Sequence, residues 1–150
     1  MRIGLIAAVL AGFVFAAPAN AAQYERLSVA ELTQILEGAG GTVSSTSKSD
    51  ILQVGSSFIW LTDCGSDGKC AEICFFRNYK DVFPTLQAVN TWNNTKKIPE
   101  ASLNPNGTLH MEMWISAIGV TDKALVDNFV WFEKYAADTD YWGPFIRSSS

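Results

Sequence analysis

The sequence predicts an α+β domain, an antiparallel sheet packed with helices in the order α-β-β-β-α-β-β-α. Three observations carry that expectation. Helix-capping residues precede apolar stripes of helical period at Ser28, Asp81 and Thr121. Short runs rich in β-branched and aromatic residues are joined by links too short for a parallel crossover. Thr108 to Ser116 alternates apolar and polar side chains, the period of a half-buried strand. Nothing between these segments reads as a linker, so a single domain is expected.

The first helix opens at Ser28. Ser28-Val29-Ala30-Glu31 is a capping box, and Leu27 with Leu32 stands at the two positions of a hydrophobic staple. Leu32, Ile35 and Leu36 make the apolar stripe, and Gly38 with Gly40-Gly41 stops the helix. Residues 42–49, mostly Ser, Thr and Lys, fit either an edge strand or a loop. Ile51 to Val54 reads as a short strand, Gly55-Ser56 as a turn, and Phe58 to Thr62 as a strand of high β-propensity. Gly65 to Lys69 is a turn leading to a partner strand from Ala71 to Arg77, so these three strands form a meander.

Asp81 is the expected cap of the second helix, with Pro84 in its first turn. Val82, Leu86, Val89 and Asn93 share one face, and Asn93-Asn94 with Lys96-Lys97 closes it. Ile98 to Leu103 is the next strand, where Pro99 points to an edge or a strand start. Asn104-Pro105-Asn106-Gly107 is a hairpin turn. In the strand that follows, Leu109, Met111, Met113 and Ile115 face one way, and His110, Glu112, Trp114 and Ser116 the other. Thr121 caps the last helix, Asp122 suits its positive end, and Val120 with Leu125 forms a second staple. Leu125, Phe129, Phe132 and Ala136 form its stripe, with Val130 and Trp131 adding apolar surface beside it. Asp138 to Gly143 ends the helix, and Arg147 to Ser150 is a tail.

Residues 1–21 read as a cleavable secretory signal. Arg2 supplies the positive start, Ile3 to Ala17 is uncharged and mostly apolar, and Pro18 breaks the helix before the small residues Ala19-Asn20-Ala21. The apolar stretch is shorter than the ~20 residues of a spanning helix, although an uncleaved anchor is the alternative. No cysteine follows it, which excludes a lipoprotein acyl anchor. A periplasmic or secreted bacterial protein of residues 22–150, free of the membrane after cleavage, is therefore expected. The chain has 11 basic and 15 acidic residues, and Arg2 is the only charge in the signal, so the mature balance is −5. That charge leaves no electrostatic footprint for nucleic acid or anionic lipid, and Lys96-Lys97 is too small to make one.

All three cysteines fall within residues 64–74. Export favours their oxidation. If Cys64 and Cys70 face each other across a hairpin, residues whose numbers sum to 134 are partners, which sets Thr62 against Glu72 and Trp60 against Cys74. A Cys64–Cys70 bridge then pins the hairpin, and Cys74 lies against Trp60 as a small buried hydrophobe. A redox or catalytic Cys74 is the sharper alternative, but Ile73 and Phe75 flank it and no positive charge is near to depress its pKa. Three cysteines and one distant His lack the paired spacing of a zinc site.

His110, the one histidine, shares a strand face with Glu112, an arrangement that serves either as a general-base pair or as two solvated polar residues. The glycines after the first helix cannot form a phosphate loop, which precedes a helix. Asn93-Asn94-Thr95 and Asn106-Gly107-Thr108 match the glycosylation pattern, which matters only in a host that glycosylates. No catalytic residue, cofactor site or metal site is expected. The residual signal is aromatic: five Trp, of which Trp114 shares the polar face of its strand and Trp131 lies off its helix stripe. Either an exposed patch marks a binding surface, or helices cover both faces of the sheet.

The segment from Phe75 to Ile146 resembles the YbjN family of bacterial proteins. Val89-Asn90-Thr91-Trp92-Asn93, the Lys97 to Leu103 strand, Asn106-Gly107-Thr108-Leu109 and Met111-Glu112-Met113 carry the resemblance, and the aromatic last helix follows in the same order. The front half matches in element order only. The resemblance implies a fold similar to the type III secretion chaperones, whose members typically dimerise and bind extended peptides. The YbjN family is grouped as candidate sensory-transduction regulators without an assigned biochemical activity. The export signal and the hairpin disulfide set this chain apart from cytoplasmic relatives, so a chaperone role does not transfer by fold.

The expected function is an exported, non-enzymatic binding module, with a protein or peptide as partner and a homodimer as one form. Asn90, Trp92 and Asn93 are candidates for its recognised surface, the alternative being that the asparagines only cap and hydrogen-bond at the helix end. The competing reading is a small-ligand carrier or enzyme whose pocket no motif reveals.

Overall fold

The computed structural model describes residues 23–96 and 98–146. The expected signal at 1–21, Lys97 and the tail at 147–150 lie outside the described residues. The elements run α1 (Val29–Gly38), β1 (Val43–Ser45), β2 (Ile51–Val54), β3 (Ser57–Cys64), β4 (Cys70–Asn78), α2 (Leu86–Thr95), β5 (Glu100–Leu103), β6 (Leu109–Ser116), α3 (Asp122–Ala137) and α4 (Thr139–Ile146). The six strands form one antiparallel sheet in the order β1-β2-β3-β4-β6-β5. The α+β class is as expected, and residues 43–45 resolve the open choice in favour of an edge strand.

The local signals at both ends of the domain act as read. Ser28 accepts from the Glu31 amide (3.2 Å) while the Glu31 carboxylate accepts from the Ser28 amide (2.8 Å), and both staple residues, Leu27 and Leu32, are buried. Thr121 caps α3, and Leu125, Phe129, Phe132 and Ala136 are its buried stripe. The hairpin register is Thr62 to Glu72, Trp60 to Cys74 and Cys64 to Cys70.

Two helix assignments are corrected. Asp81 does not cap α2; Thr85 does, its hydroxyl accepting from the Ala88 amide (3.1 Å). Proline at position 84 disfavours the helical conformation at Phe83, so the helix starts only after it. Residues 139–146 do not merely end α3 but form α4. Asp138 opens it, its carboxylate accepting from the amides of Asp140 (3.1 Å) and Tyr141 (3.0 Å). Gly143 and Pro144 weaken the local signal. Burial of Trp142 and Ile146 against α2, β5 and β6 supplies what propensity does not.

The core has two parts on one side of the sheet. Under β2, β3 and β4, α1 and α3 enclose Leu32, Leu36, Ile59, Ile73, Phe75 and Phe132. Under β5 and β6, α2 and α4 enclose Val89, Trp92, Ala101, Met111 and Trp142.

Glu31 also ties α1 to the β3–β4 turn. The Lys69 ammonium donates to its carboxylate (2.7 Å), and with the Ser28 donors this holds the carboxyl at about 2. A carboxyl held below its unfolded value contributes stability above that value and loses it as pH falls through the folded one. Because both side chains are substantially exposed, solvent screens the pair and the contribution is small. Urea unfolding at pH 6 and at pH 3 is expected to show Glu31→Gln destabilised at the higher pH, with the gap to wild type narrowing at the lower.

Candidate functional site

All four helices pack on the same face of the sheet, the one carrying Leu52, Ile59, Leu61, Ile73, Phe75, Met111 and Met113. Among the described residues no element covers the opposite face, so of the two alternatives the one with helices on both sides is overturned. The register fixes what the open face presents, because every second residue of each strand points there. One row across the sheet reads Ile51, Trp60, Cys74, Trp114. The next reads Gln53, Phe58, Phe76, Glu112, Glu100. Asn78, His110 and Ser102 follow on one side, and Thr62, Glu72 and Ser116 on the other.

The rings in these rows touch. Phe58 and Phe76 stack with centroids 5.2 Å apart, and Phe76 meets His110 at 5.6 Å. Trp60 and Trp114 approach to 6.1 Å, tilted by 59°, over Cys74, which is the small residue between them. The two indoles remain 37% and 44% exposed, whereas Cys74 beneath them is buried. Asp50 holds the Trp60 ring in place by accepting from its indole N–H (2.8 Å). Large aromatics fixed by neighbours and still facing water are what a docking surface requires.

His110, Glu112 and Cys74 on this face are engaged with one another. His110 bonds Asn78 Oδ1 through Nδ1 (2.9 Å) and Glu112 Oε2 through Nε2 (3.1 Å). Both ring nitrogens therefore have partners within the sheet. The Cys74 thiol donates to Glu112 Oε2 (3.8 Å), and burial first, then the Glu112 charge, pushes its pKa well above the ordinary thiol value. Such a thiol has almost no thiolate at neutral pH. Iodoacetamide is accordingly expected to leave Cys74 unlabelled in native protein and to alkylate it once the protein is unfolded; rapid native labelling is the contrary result.

Cys64 and Cys70 are joined as a disulfide across the β3–β4 hairpin. Leu27 exchanges two backbone hydrogen bonds with Cys70 (2.9 and 2.8 Å), so the bridged turn also anchors the chain entering α1.

The residues named as a candidate surface on α2 separate. Trp92 is fully buried, donating its indole N–H to the Pro99 carbonyl (2.7 Å) with its ring edge-on to Tyr141 and Phe145. Asn93 clamps strand β5: its Nδ2 donates to the Ala101 carbonyl and its Oδ1 accepts from the Ala101 amide, each at 2.8 Å. Only Asn90 is at the surface. The expected surface on α2 is therefore corrected to a core tryptophan and a strand clamp. The bonds of Asn93 also run to β5 instead of within the helix end. The aromatic residues of the open face that sequence reading passed over are Phe58, Trp60 and Phe76. The pairing rule for the hairpin places all three on one face with Cys74, and that was the available signal.

Two hollows lie beside the aromatic face. One, of about 330 Å³, is lined by Trp114, Ile118, Ser116, Glu72 and Asp63, with Ala71 and Ile115 behind. The other, of about 430 Å³, is lined by Asn78, Tyr79, Lys80 and the β5–β6 turn, and includes neither His110 nor Glu112. No cluster of His, Cys, Asp and Glu among the described residues is arranged to hold a metal ion. Nor is any helix among the described residues long and apolar enough to cross a membrane.

No family model, curated protein or solved structure matches the chain.

Proposed function

We propose that the chain is an exported, non-enzymatic binding module that docks a protein partner on the open face of its sheet. The observation that carries this reading is the exposed Trp60–Trp114 pair, continued by Phe58 and Phe76, on a face that no helix among the described residues covers. The sheet edges are less suited to the task. Asn93 already satisfies both backbone groups of Ala101 on the outer side of β5, and β1 at the other edge is three residues long. The Cys64–Cys70 bridge fits an oxidising compartment and supports export. The YbjN resemblance belongs to the same proposal. Without the short β1 and the terminal α4, the element order is the α-β-β-β-α-β-β-α read from the sequence, an order compatible with the chaperone-like fold that the resemblance implies.

Cross-linking in an envelope extract tests the reading. Wild-type protein and a Val130→Ser control, altered on an exposed helical residue, are expected to capture the same partner. The Trp60→Ser/Trp114→Ser double variant is expected to lose it. Capture that is unchanged in the double variant overturns the reading.

A further inference from the structure

The open face is aromatic, and it is also charged with one sign. Its strand positions carry Glu72, Glu100 and Glu112, and neither Lys nor Arg. Of these, Glu112 is held by His110. Glu72 differs: its side chain is exposed, it accepts only the Thr62 hydroxyl (3.2 Å), and no cation pairs with it among the described residues. It lines the 330 Å³ hollow together with Trp114 and Asp63. Arg26 reaches Asp63 from outside that lining, Nη1 donating to its carbonyl (2.6 Å) and Nη2 lying 3.5 Å from its carboxylate. The hollow therefore combines an exposed indole, a carboxylate already balanced by Arg26 and a carboxylate that is not balanced.

We infer that the partner segment taken by this face is cationic: a Lys or Arg head group enters the hollow between Trp114 and Glu72, and the chain carrying it lies across Trp60 and Phe58. This rests on the docking reading above and names the partner's chemistry. An aromatic ring beside a carboxylate attracts a cation twice, through the ring quadrupole and through the charge. The row from Ile51 to Trp114 crosses three strand spacings, about 14 Å, which is wider than one small cation and matches a few residues of extended chain. A second copy of this chain is a poor occupant. Placing two such faces together opposes glutamate to glutamate across the interface, with no basic strand residue to compensate. An anionic membrane surface is disfavoured for the same reason.

The test uses protein purified after export and three acetylated, amidated nonapeptides of one sequence, differing only in having Arg, Gln or Glu at alternate positions. Binding is read by calorimetry at low salt and again with added NaCl. The Arg peptide is expected to bind about ten-fold more tightly than the Gln peptide, and to lose that advantage in salt. Trp114→Ala and Glu72→Gln are each expected to weaken the Arg peptide by about five-fold. Both residues are exposed, and circular dichroism confirms that each variant is folded. Glu72→Lys should reverse the ranking of the Arg and Glu peptides. Equal binding of the Arg and Gln peptides overturns the cationic assignment while leaving the docking reading intact. Unchanged Arg-peptide binding in Glu72→Lys overturns the placement at this hollow. Failure of all three peptides to bind overturns the inference, and the cross-linking comparison with the native partner then judges the docking reading separately. A dimer in light scattering that Trp114→Ala dissociates assigns the face to a second copy and overturns the inference as well.

Discussion

Replacing Trp92 by alanine is expected to destabilise the domain by about 4 kcal/mol, the range for deleting a fully buried aromatic. Three losses combine. The indole leaves a cavity at the junction of α2, α4 and β5, where it packs with Val89, Trp142 and Ile146. The Pro99 carbonyl loses its donor. The edge-on contacts to Tyr141 and Phe145 disappear, and with them part of what holds α4 to the domain. Because α4 contains Gly143 and Pro144 and depends on packing, its helical signal should be lost first. Urea unfolding measures the total, and hydrogen exchange of residues 139–146 measures the local part. A loss below about 1 kcal/mol would return Trp92 to the role of an exposed recognition residue.

Arg77→Ala is expected to cost about 3 kcal/mol. Arg77 stands on the helix-facing side of β4, opposite Met111, with its side chain only 12% exposed. Its guanidinium donates to both oxygens of Glu133 on α3 (3.2 and 2.9 Å) and, through Nε, to the buried Ser57 hydroxyl on β3 (3.0 Å). Truncation strands a half-buried carboxylate and a buried hydroxyl together, and the cost of leaving such groups unpaired exceeds the net worth of the bonds. For a domain of this size the melting temperature should fall by about 10 °C. The Arg77→Met/Glu133→Leu double variant removes both charges, and it should recover most of that loss. A double variant as unstable as the single one would show that the pair matters through something other than the stranded charge.

The positions of these two residues show where sequence reading stops. Arg77 reads as the last polar residue of a strand, and nothing local says that it points inward to an acidic residue 56 positions away. Trp92 and Asn93 follow each other on a polar helix, so their side chains look available, and only the close approach of β5 takes both inside. Asp81 has the chemistry of a cap, but the backbone restriction imposed by Pro84 overrules it. Residues 139–146 have no helical signal strong enough to outweigh their Gly and Pro, and become helical because Trp142 and Ile146 find a core.

By itself the sequence determined the class of the domain, the caps at Ser28 and Thr121, the buried stripe of α3 and the alternation of β6, and it tied the register of the β3–β4 hairpin to the pairing of Cys64 with Cys70. Each of these depends on residues close in the chain or on a period within one element, where hydrogen bonding and burial are decided by neighbours a few positions apart. Only the tertiary structure decided which face of the sheet the helices cover. An alternating strand specifies two faces but not what lies over either, and Trp60 or Trp114 is as compatible with a second helical layer as with water. The helices pack together on the side of Ile59, Phe75 and Met111, and leave the tryptophan pair and Glu72 on the open side. The surplus of aromatic residues thereby becomes a surface with a location and a charge.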